Sequence, residues 1–310
     1  MNVLISGGFG FIGSYMVEDF LSRGLKVGVL TRRTPEYLAS LRDRVTVLES
    51  DITHKISVQP DDSYDVFIHL AAANDVDSKK TSTALETTTL GTKHCLDFCV
   101  RNGVDKFIYF STFQVYGADS GYIDESSPLN CRNDYAITHL FAEQYVRMYE
   151  RNFGLDFIIV RPTNVYGGIR HKDVDRWSLA PSCFCLEAFE EHTITLRSSG
   201  KQLRDFISLR DVSGMAALLC ESFSKARNTT FNLARGKSMS ILETAELVKA
   251  TYERLFGKAC KLIVESEEPS ETEEFRVSTE KIRESGYGHD ENYDLAGAVE
   301  ETFAMLKEMG

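Results

Sequence analysis

The sequence predicts an α/β protein built on a doubly wound parallel sheet, with a smaller C-terminal lobe. Three observations carry this prediction. Short apolar segments alternate with helical segments along the first half of the chain. Strands that are apolar on both faces are typical of parallel sheets that helices cover on each side. The first strand also runs into a glycine-rich turn and a helix, and right-handed crossovers between such units produce the doubly wound order.

The predicted elements follow one another regularly as far as about residue 166. We expect strands at 2–6, 26–31, 45–50, 64–72, 106–112 and 156–162, and helices at 11–23, 84–102 and about 135–152. Apolar residues recur at helical spacing in the helices and in continuous runs in the strands. This part of the chain therefore contains the material of one parallel sheet and its covering helices.

Beyond residue 166 the alternation becomes irregular. We predict a helix at 180–191, a strand near 193–197, a strand and helix over 203–223, a strand at 229–234 and a helix at 240–256. The stretch 203–223 could return to the main sheet, and the acidic stretch 266–274 is typical of a solvated loop. We assign 1–166, together with about 205–228, to the sheet domain. About 167–204 and 229–310 would form the smaller lobe.

Composition excludes several classes of partner. A formal net charge of -11 over 310 residues is unfavourable for binding nucleic acid or an anionic membrane. No apolar run approaches the ~18 residues of a membrane span, and no signal peptide is evident. The seven cysteines are scattered without a zinc-binding pattern, which favours free thiols in a reducing compartment. We therefore expect a cytoplasmic protein without a metal site.

A glycine loop follows the first strand. Gly7, Gly10 and Gly13, with Phe11 and Ile12 between them, lie between a predicted strand and a predicted helix. Glycines permit a tight turn and the close approach of a pyrophosphate to the N–H groups at the start of the helix. The alternative is a merely structural turn, but the strand and helix on either side favour a dinucleotide-binding loop.

The end of the second strand bears on the choice of dinucleotide. An acidic residue there would select NAD, but this chain has Thr31, Arg32 and Arg33. A guanidinium suits the 2′-phosphate of NADP, so NADP is the favoured cofactor, with NAD as the alternative if both arginines face solvent. Asp51, followed by Ile52 after the third strand, could hold the adenine amino group or could cap a helix.

Several segments together resemble one family, the extended short-chain dehydrogenase/reductases that act as NAD(P)-dependent nucleotide-sugar epimerases, dehydratases and reductases. In the family's order, the chain contains "GGFGFIG", "SDIT", "IHLAA", "STFQVYG" (111–117), "YAITHLFAE" (135–143), "VRPTNVYG" (160–167) and "LRDFISLRDV" (203–212). These motifs span nearly the whole chain. They are specific for the family and poorly specific for the substrate.

The resemblance implies a Rossmann domain for the dinucleotide and a lobe for the sugar nucleotide. Thr112 would hydrogen-bond the oxygen at the reacting carbon, and Tyr135 would be the acid or base that moves its proton. The remaining cofactor contacts would come from Leu70, Ala71, Ala72, Pro162 and Val165. Those to the substrate would come from Gln114, Asn164, Arg204 and Arg276. Arg204 could instead pair with Asp205 or Asp211 at the surface, and Asn164 could only shape a turn.

Some positions depart from the family's pattern. The acidic pair that removes water in the 4,6-dehydratases is Phe113 and Gln114 here, and neither side chain is a general acid or base. Thr88 stands where an asparagine braces the site. An Arg-Pro-Gly-type nucleotide contact is replaced by "EEPSE", for which Arg276 is a nearby substitute. The missing acidic pair indicates against dehydration, whereas 4-epimerases and 4-ketoreductases do not need that pair.

The largest departure is His139, where the family has a lysine. Residues 135 and 139 share one helical face. The lysine hydrogen-bonds the nicotinamide ribose and lowers the pKa of the tyrosine, which is ~10 when unperturbed. Histidine can still donate to a ribose hydroxyl, but with a reference pKa of ~6.5 it is mostly neutral at pH 7.

Three hypotheses follow from His139. In the first, the protein is a redox enzyme acting at the sugar C4, and a reductase tolerates the change best because it needs a protonated tyrosine. In the second, it binds a dinucleotide and a sugar nucleotide with weak or no turnover. In the third, another base acts, with Cys131 and His94 as candidates. We favour the first, as a 4-ketosugar reductase with 4-epimerase as the alternative. We also expect a homodimer through the helices at 84–102 and 135–152.

Overall fold

A computed structural model describes residues 1–168, 176–266, 274–288 and 294–309. The strands are β1 (Asn2–Ser6), β2 (Lys26–Thr31), β3 (Thr46–Glu49), β4 (Val66–His69), β5 (Lys106–Phe110), β6 (Gly121–Ile123), β7 (Asp156–Pro162), β8 (Asn164–Tyr166), β9 (Thr193–Leu196), β10 (Leu203–Ser208), β11 (Thr229–Leu233), β12 (Ser238–Ser240), β13 (Lys261–Val264) and β14 (Phe275–Val277). Helices alternate with the first of these strands, as the apolar periodicity predicts.

The helices are α1 (Phe11–Ser22), α2 (Ala39–Arg42), α3 (Thr81–Ala84), α4 (Gly91–Asn102), α5 (Asp134–Phe153), α6 (Ala180–Glu191), α7 (Leu209–Glu221), α8 (Phe223–Ala226), α9 (Ile241–Phe256), α10 (Glu280–Glu284) and α11 (Leu295–Met309). A π-helical segment, Leu85–Leu90, joins α3 to α4. Within the described ranges no helix is long and apolar enough to cross a membrane.

Seven parallel strands form the main sheet, in the order β11-β7-β5-β4-β1-β2-β3. The order reverses at β1, whose neighbours are β2 on one side and β4 on the other. In sheets of this kind ligands bind outside the carboxyl ends of the strands at the point of reversal. The predicted fold class, a doubly wound parallel sheet, is confirmed.

The two faces of the main sheet are buried in separate apolar layers. Val3 and Ile5 of β1 point into the layer that contains α1 and α7. Leu4, between them, points into the opposite layer, with residues of α4 and α5. Successive side chains of a strand alternate between faces, so a strand buried on both sides must be apolar throughout. This explains why the strands read as continuous apolar runs.

The smaller lobe contains its own core and three short sheets. Its sheets are β12-β10-β8, β13-β9 and β14-β6. Apolar residues of α6, α9 and α11 pack together in its core, around Tyr252 and Phe303. Helix α9 begins with a capping box in which Ser240 and Glu243 satisfy each other's backbone N–H groups.

Four strands lie in places that differ from the expected division of the chain. Strands β6 and β8, from the range 1–166, pair with β14 and β10 outside the main sheet. Strand β10, in the stretch expected to return to the main sheet, pairs instead with β8 and β12. The seventh strand of the main sheet is β11, which pairs with β7, although 229–310 was expected to belong to the smaller lobe. Strands β10 and β11 are short and mix apolar with polar residues, so their own sequences do not determine which strand each pairs with. The rest of the expected division remains a prediction.

Candidate functional site

A cleft of about 880 Å³ opens at the carboxyl edge of the main sheet, where the strand order reverses. It is lined by every residue predicted to hold the cofactor and by all those predicted to act in catalysis. Of the residues predicted to bind substrate, Gln114, Asn164 and Arg204 also line it. The topology brings these side chains together because the segments that carry them all follow the carboxyl ends of parallel strands or pack over that edge.

The glycine loop is shaped by contacts that exclude side chains. A Cβ atom on Gly13 would lie 2.2 Å from the carbonyl oxygen of Gly7, and one on Gly7, whose φ is +72°, would lie 2.9 Å from the amide nitrogen of Ala71. Helix α1 begins directly after Gly10, without a side-chain cap and without an acidic residue in its first turn. Its first N–H groups are therefore available to an anion. These features fit the pyrophosphate of a dinucleotide.

The rim of the cleft beside β2 carries both expected arginines. Arg32 and Arg33 are exposed there. The Thr31 hydroxyl donates to the carbonyl oxygen of Arg33 over 2.8 Å and so folds the turn. Asp51 accepts from the backbone and hydroxyl of Thr53 at 2.9 and 2.8 Å. Partial burial acts to raise the pKa of Asp51, but these bonds and the charge of Arg32 lower it. Asp51 thus caps a turn at the cleft wall.

Thr112 and Tyr135 meet in the middle of the cleft. Thr112 directly follows Ser111 at the end of β5, and Tyr135 lies in the first turn of α5, which the Asn133 side chain caps. Burial raises the pKa of Tyr135, while the charge of Arg176 and a hydrogen bond with the Thr112 side chain act to lower it. The net change is upward, so the phenol keeps its proton at neutral pH.

His139 lies one helical turn beyond Tyr135, with the two ring centroids 4.8 Å apart. Its Nδ1 is 2.7 Å from the hydroxyl of Tyr109. Its Nε2 is buried and has no hydrogen-bond partner within the described part of the chain. Burial lowers the pKa of His139 to about 3. Position 139 therefore carries no charge at neutral pH, unlike the lysine that it replaces.

Among the cleft residues that the sequence analysis did not predict is the cation Arg176. This residue lines the cleft, and its guanidinium lies over the ring of Phe11 at 5.5 Å from the ring centroid. Its charge acts on Tyr135. No sequence motif contains Arg176, and the tertiary structure brings it to the cleft.

A buried ion pair lies next to the segments that carry Thr112 and Tyr135. Arg161 donates to both carboxylate oxygens of Glu143, at 2.9 and 2.7 Å, and the Ser111 hydroxyl donates to the same carboxylate at 2.6 Å. Ser111 and Arg161 directly precede Thr112 and Pro162, and Glu143 lies on α5. The pair therefore fixes β5, β7 and α5 relative to one another, and with them the residues at the cleft.

The predicted substrate residues fall into two groups. Asn164 and Arg204 line the cleft. The side-chain amide of Asn164 donates to the carbonyl oxygen of Asp205 at 2.9 Å, and the Arg204 guanidinium donates to the carbonyl oxygen of Leu203 at 2.8 Å. Arg276 is exposed outside the cleft, because side chains alternate along β14 and its neighbour Phe275 faces inward. The structure does not support a contact of Arg276 with substrate. The "EEPSE" segment lies outside the described residues.

Gln114 and Phe113 occupy the positions of the missing acidic pair. The side-chain oxygen of Gln114 accepts from the amide of Asn133 at 3.2 Å. Phe113 packs against Tyr116 and Phe275, with ring centroids 5.3 and 5.6 Å away. The pair thus contributes an amide and an aromatic wall to the cleft, and no proton-transfer group.

The alternative bases lie elsewhere. His94 donates from Nδ1 to the carbonyl oxygen of Ile52 at 2.7 Å, and the thiol of Cys131, whose pKa burial raises, donates to the carbonyl oxygen of Val115 at 3.5 Å. Neither residue lines the cleft. Thr88, at the position of the family's asparagine, accepts from the Ala73 amide through its hydroxyl at 3.1 Å. The described residues contain no cluster able to hold a metal ion.

Known proteins with this architecture carry out several related reactions. The chain is 29% identical over 271 residues to dTDP-4-dehydro-6-deoxy-D-allose reductase of Streptomyces bikiniensis, covering 81% of each chain. It is 27% identical over 303 residues to dTDP-D-glucose 4,6-dehydratase of Mus musculus, covering 92% of this chain and 83% of that one. Its fold matches that of UDP-glucuronic acid 4-epimerase from Bacillus cereus in complex with NAD, with a TM-score of 0.83 at 23% identity over 100% of this chain and 99% of that one.

The family itself is defined by a sequence model that covers most of the chain. The model of the NAD dependent epimerase/dehydratase family matches residues 3–234. This match includes the glycine loop and the segments that carry Thr112, Tyr135 and His139, and it confirms the resemblance that the motifs indicated. The chain belongs to the NAD dependent epimerase/dehydratase family.

Proposed function

We propose that this protein transfers a hydride at C4 of a nucleotide-linked sugar, as an NAD(P)-dependent 4-ketosugar reductase. One observation carries the proposal: Thr112 and Tyr135 meet in the cleft that also contains the glycine loop. A sugar oxygen bound beside them would meet a proton donor and a hydrogen-bond partner together. The similarity to a 4-ketosugar reductase supports this reading.

The protonation of Tyr135 suits reduction. Reduction of a ketone requires a proton at the carbonyl oxygen, and burial keeps the phenol protonated. Thr112 would hold the same oxygen in place. A bound dinucleotide would supply the hydride. Asn164 and Arg204, at the side of the cleft that faces the smaller lobe, would bind the nucleotide or diphosphate of the substrate.

Replacement of Tyr135 by phenylalanine tests this role. We expect Tyr135→Phe to lower kcat by roughly 10²–10⁴-fold, the usual contribution of a positioned acid or base. Binding of the substrate should change little, because the ring remains. Oxidation of NADPH, followed at 340 nm with 4-ketosugar nucleotides, measures both parameters. Turnover that survives the replacement would exclude Tyr135 as the proton donor.

Two alternatives remain open to experiment. A 4-epimerase would first use Tyr135 as a base, and the neutral His139 gives that step no fixed positive charge. An epimerase also retains its dinucleotide, which is oxidised and reduced within one cycle. A protein without turnover would bind the dinucleotide and a sugar nucleotide, yet give no absorbance change at 340 nm with any 4-ketosugar nucleotide tested.

The identity of the dinucleotide that the denatured protein releases distinguishes a reductase from an epimerase. A site that is empty on purification and binds NADPH far better than NADH would support the reductase. Stoichiometric NAD(H) in the released fraction would support the epimerase, and its conversion of UDP- or dTDP-hexoses would then be assayed directly. Mass spectrometry of the supernatant identifies the nucleotide.

The preference for NADP depends on the arginines at the cleft rim. In Arg32→Ala/Arg33→Ala we expect the Kd for NADPH to rise at least ~10-fold, since each charge-assisted contact to a phosphate contributes ~1.5–3 kcal/mol. The Kd for NADH should change little. The matched control is Arg42→Ala/Arg44→Ala, which removes two exposed charges outside the cleft. Equal weakening of both dinucleotides in the rim variant would contradict the assignment.

A further inference from the structure

His139, a residue of the cleft lining, has one hydrogen-bonded nitrogen and one buried nitrogen without a partner in the described part of the chain. Nδ1 is held by the Tyr109 hydroxyl at 2.7 Å. Nε2 is buried, has no hydrogen-bond partner within the described part of the chain, and belongs to a residue that lines the cleft. A buried polar atom without a partner is unfavourable unless a ligand supplies one. The direction of the bond at Nδ1 decides whether Nε2 donates or accepts.

Three buried polar residues near Tyr109, namely Ser6, His69 and Thr92, already donate their protons in hydrogen bonds with one another or with Thr88. Thr92 donates its hydroxyl proton to the carbonyl oxygen of Thr88 at 2.5 Å. Its oxygen lies 3.0 Å from Nε2 of His69, so His69 donates there. The neutral ring of His69 then has an unprotonated Nδ1, which accepts from the Ser6 hydroxyl at 2.5 Å. No proton from this group is left over for Tyr109 to accept.

Thr92 also contacts Tyr109 but has no proton to give it, and of the two acceptors near the phenol the His139 nitrogen, at 2.7 Å, is the stronger, so Tyr109 donates to His139. Its hydroxyl is fully buried, and burial holds its pKa well above the ordinary value. A phenol is a better donor than an imidazole N–H, and an imidazole nitrogen is a better acceptor than a phenol oxygen. The bond thus runs from Tyr109 to Nδ1, and the single proton of the neutral imidazole lies on Nε2.

We propose that Tyr109 is a positioning residue that fixes His139 in one tautomer, as an uncharged Nε2–H donor aimed at a ribose hydroxyl of the dinucleotide. The tautomer follows from the buried contacts alone, whereas the identity of the acceptor rests on the proposed function. Tyr109 and His139 together would provide the hydrogen bond that the lysine makes in the family, without the positive charge of the lysine.

The same contacts argue against a proton relay through His69. The chain of bonds ends at the carbonyl oxygen of Thr88 and at Ser6, and Ser6, Thr88 and Thr92 are all fully buried. A relay needs an outlet to water or to a second titrating group. Here the network can orient its members but has nowhere to deliver a proton.

The tautomer can be measured without any ligand. Long-range ¹H–¹⁵N spectra of the histidine rings at pH 7 distinguish protonated from unprotonated nitrogens, and His139→Gln identifies the His139 signals. We expect an unprotonated Nδ1 and a protonated Nε2 in the ligand-free protein. A proton on Nδ1 would overturn the proposal, even if Tyr109→Phe failed to fold.

Binding measurements test the link to the cofactor. We expect Tyr109→Phe to raise the Kd for NADPH about fivefold, the size of one hydrogen bond, and to have no further effect in the His139→Gln background. The control, Tyr149→Phe, removes another buried hydroxyl, which donates to Asp97 away from the cleft, and should leave the Kd unchanged. Additive effects of Tyr109→Phe and His139→Gln would contradict the proposal. The expected tautomer with no dinucleotide binding would overturn the proposed function and leave the tautomer assignment standing.

Discussion

At the scale of single residues, the presence of His139 where the family has a lysine removes a positive charge from this position of the cleft. The imidazole occupies the helical position from which a lysine would act, but burial keeps it neutral. Of the described residues, Arg176 is the cation whose charge acts to lower the pKa of Tyr135. The site therefore suits a protonated tyrosine, which is the form that a reductase requires.

Two buried neutral histidines should make stability depend on pH in a defined direction. Burial lowers the pKa of His69 and of His139 to about 3, from ~6.5 in the unfolded chain. Above pH 6.5 both histidines are neutral in both states and have no effect on the pH dependence. Below it the unfolded state binds the protons and the folded state does not, so stability falls down to about pH 3.

The slope can be measured by urea unfolding between pH 5 and 6.5, above the range in which carboxylates titrate. Each of the two histidines should contribute up to ~1.4 kcal/mol per pH unit. His69→Gln should remove the contribution of one histidine, whereas His54→Gln, at an exposed position, should leave the slope as it is. An unchanged slope in His69→Gln would show that His69 is charged or hydrated in the folded state.

At the scale of elements, the sequence predicted which segments form strands but not where every strand pairs. The central strands β1, β4 and β5 of the main sheet are buried on both faces, and their burial leaves few alternatives. Strands β10 and β11 both mix apolar with polar residues, and which one joins the sheet depends on contacts made across the chain. The same holds for Arg176, which reaches the cleft through tertiary structure alone.

The π-helical segment Leu85–Leu90 shows what an unusual element can contribute to a site. It holds Thr88, whose hydroxyl accepts from the Ala73 amide at 3.1 Å and whose carbonyl oxygen accepts from Thr92. π segments occur frequently at functional sites. Through these two bonds the segment holds the loop after β4, which lines the cleft, and also Thr92, which contacts His69.

Thr88→Val should therefore destabilise the protein although the two side chains have nearly the same shape. The replacement leaves the buried N–H of Ala73 without an acceptor, which costs about 1–3 kcal/mol. Thr88→Ser keeps the hydroxyl and should lose much less of this stability. Urea unfolding at pH 7 measures the difference. Equal losses in the two variants would show that the methyl group, rather than the hydrogen bond, stabilises the loop.

At the scale of the whole molecule, an apolar surface lies across α5 and the helical segments before it. Leu85, Leu90 and Phe141 are 37%, 41% and 44% exposed. The Thr89 hydroxyl donates to the carbonyl oxygen of Thr138 at 3.1 Å, which brings the segments that carry Leu90 and Phe141 side by side. Grouped apolar side chains of this kind are typical of interaction sites, and the paired helices favour a homodimer with two-fold symmetry.

A charge at the centre of this surface tests the homodimer. In a two-fold interface each substitution occurs twice, so Phe141→Glu would place two buried carboxylates near each other and should yield monomers. Light scattering after size-exclusion chromatography gives the mass directly, to compare with 34.9 kDa for one chain. The control is Ile263→Glu, at an apolar residue of β13 in the smaller lobe that is 44% exposed. A dimer that persists in Phe141→Glu and dissociates in Ile263→Glu would move the interface to the smaller lobe, and a monomeric wild-type protein would contradict the homodimer.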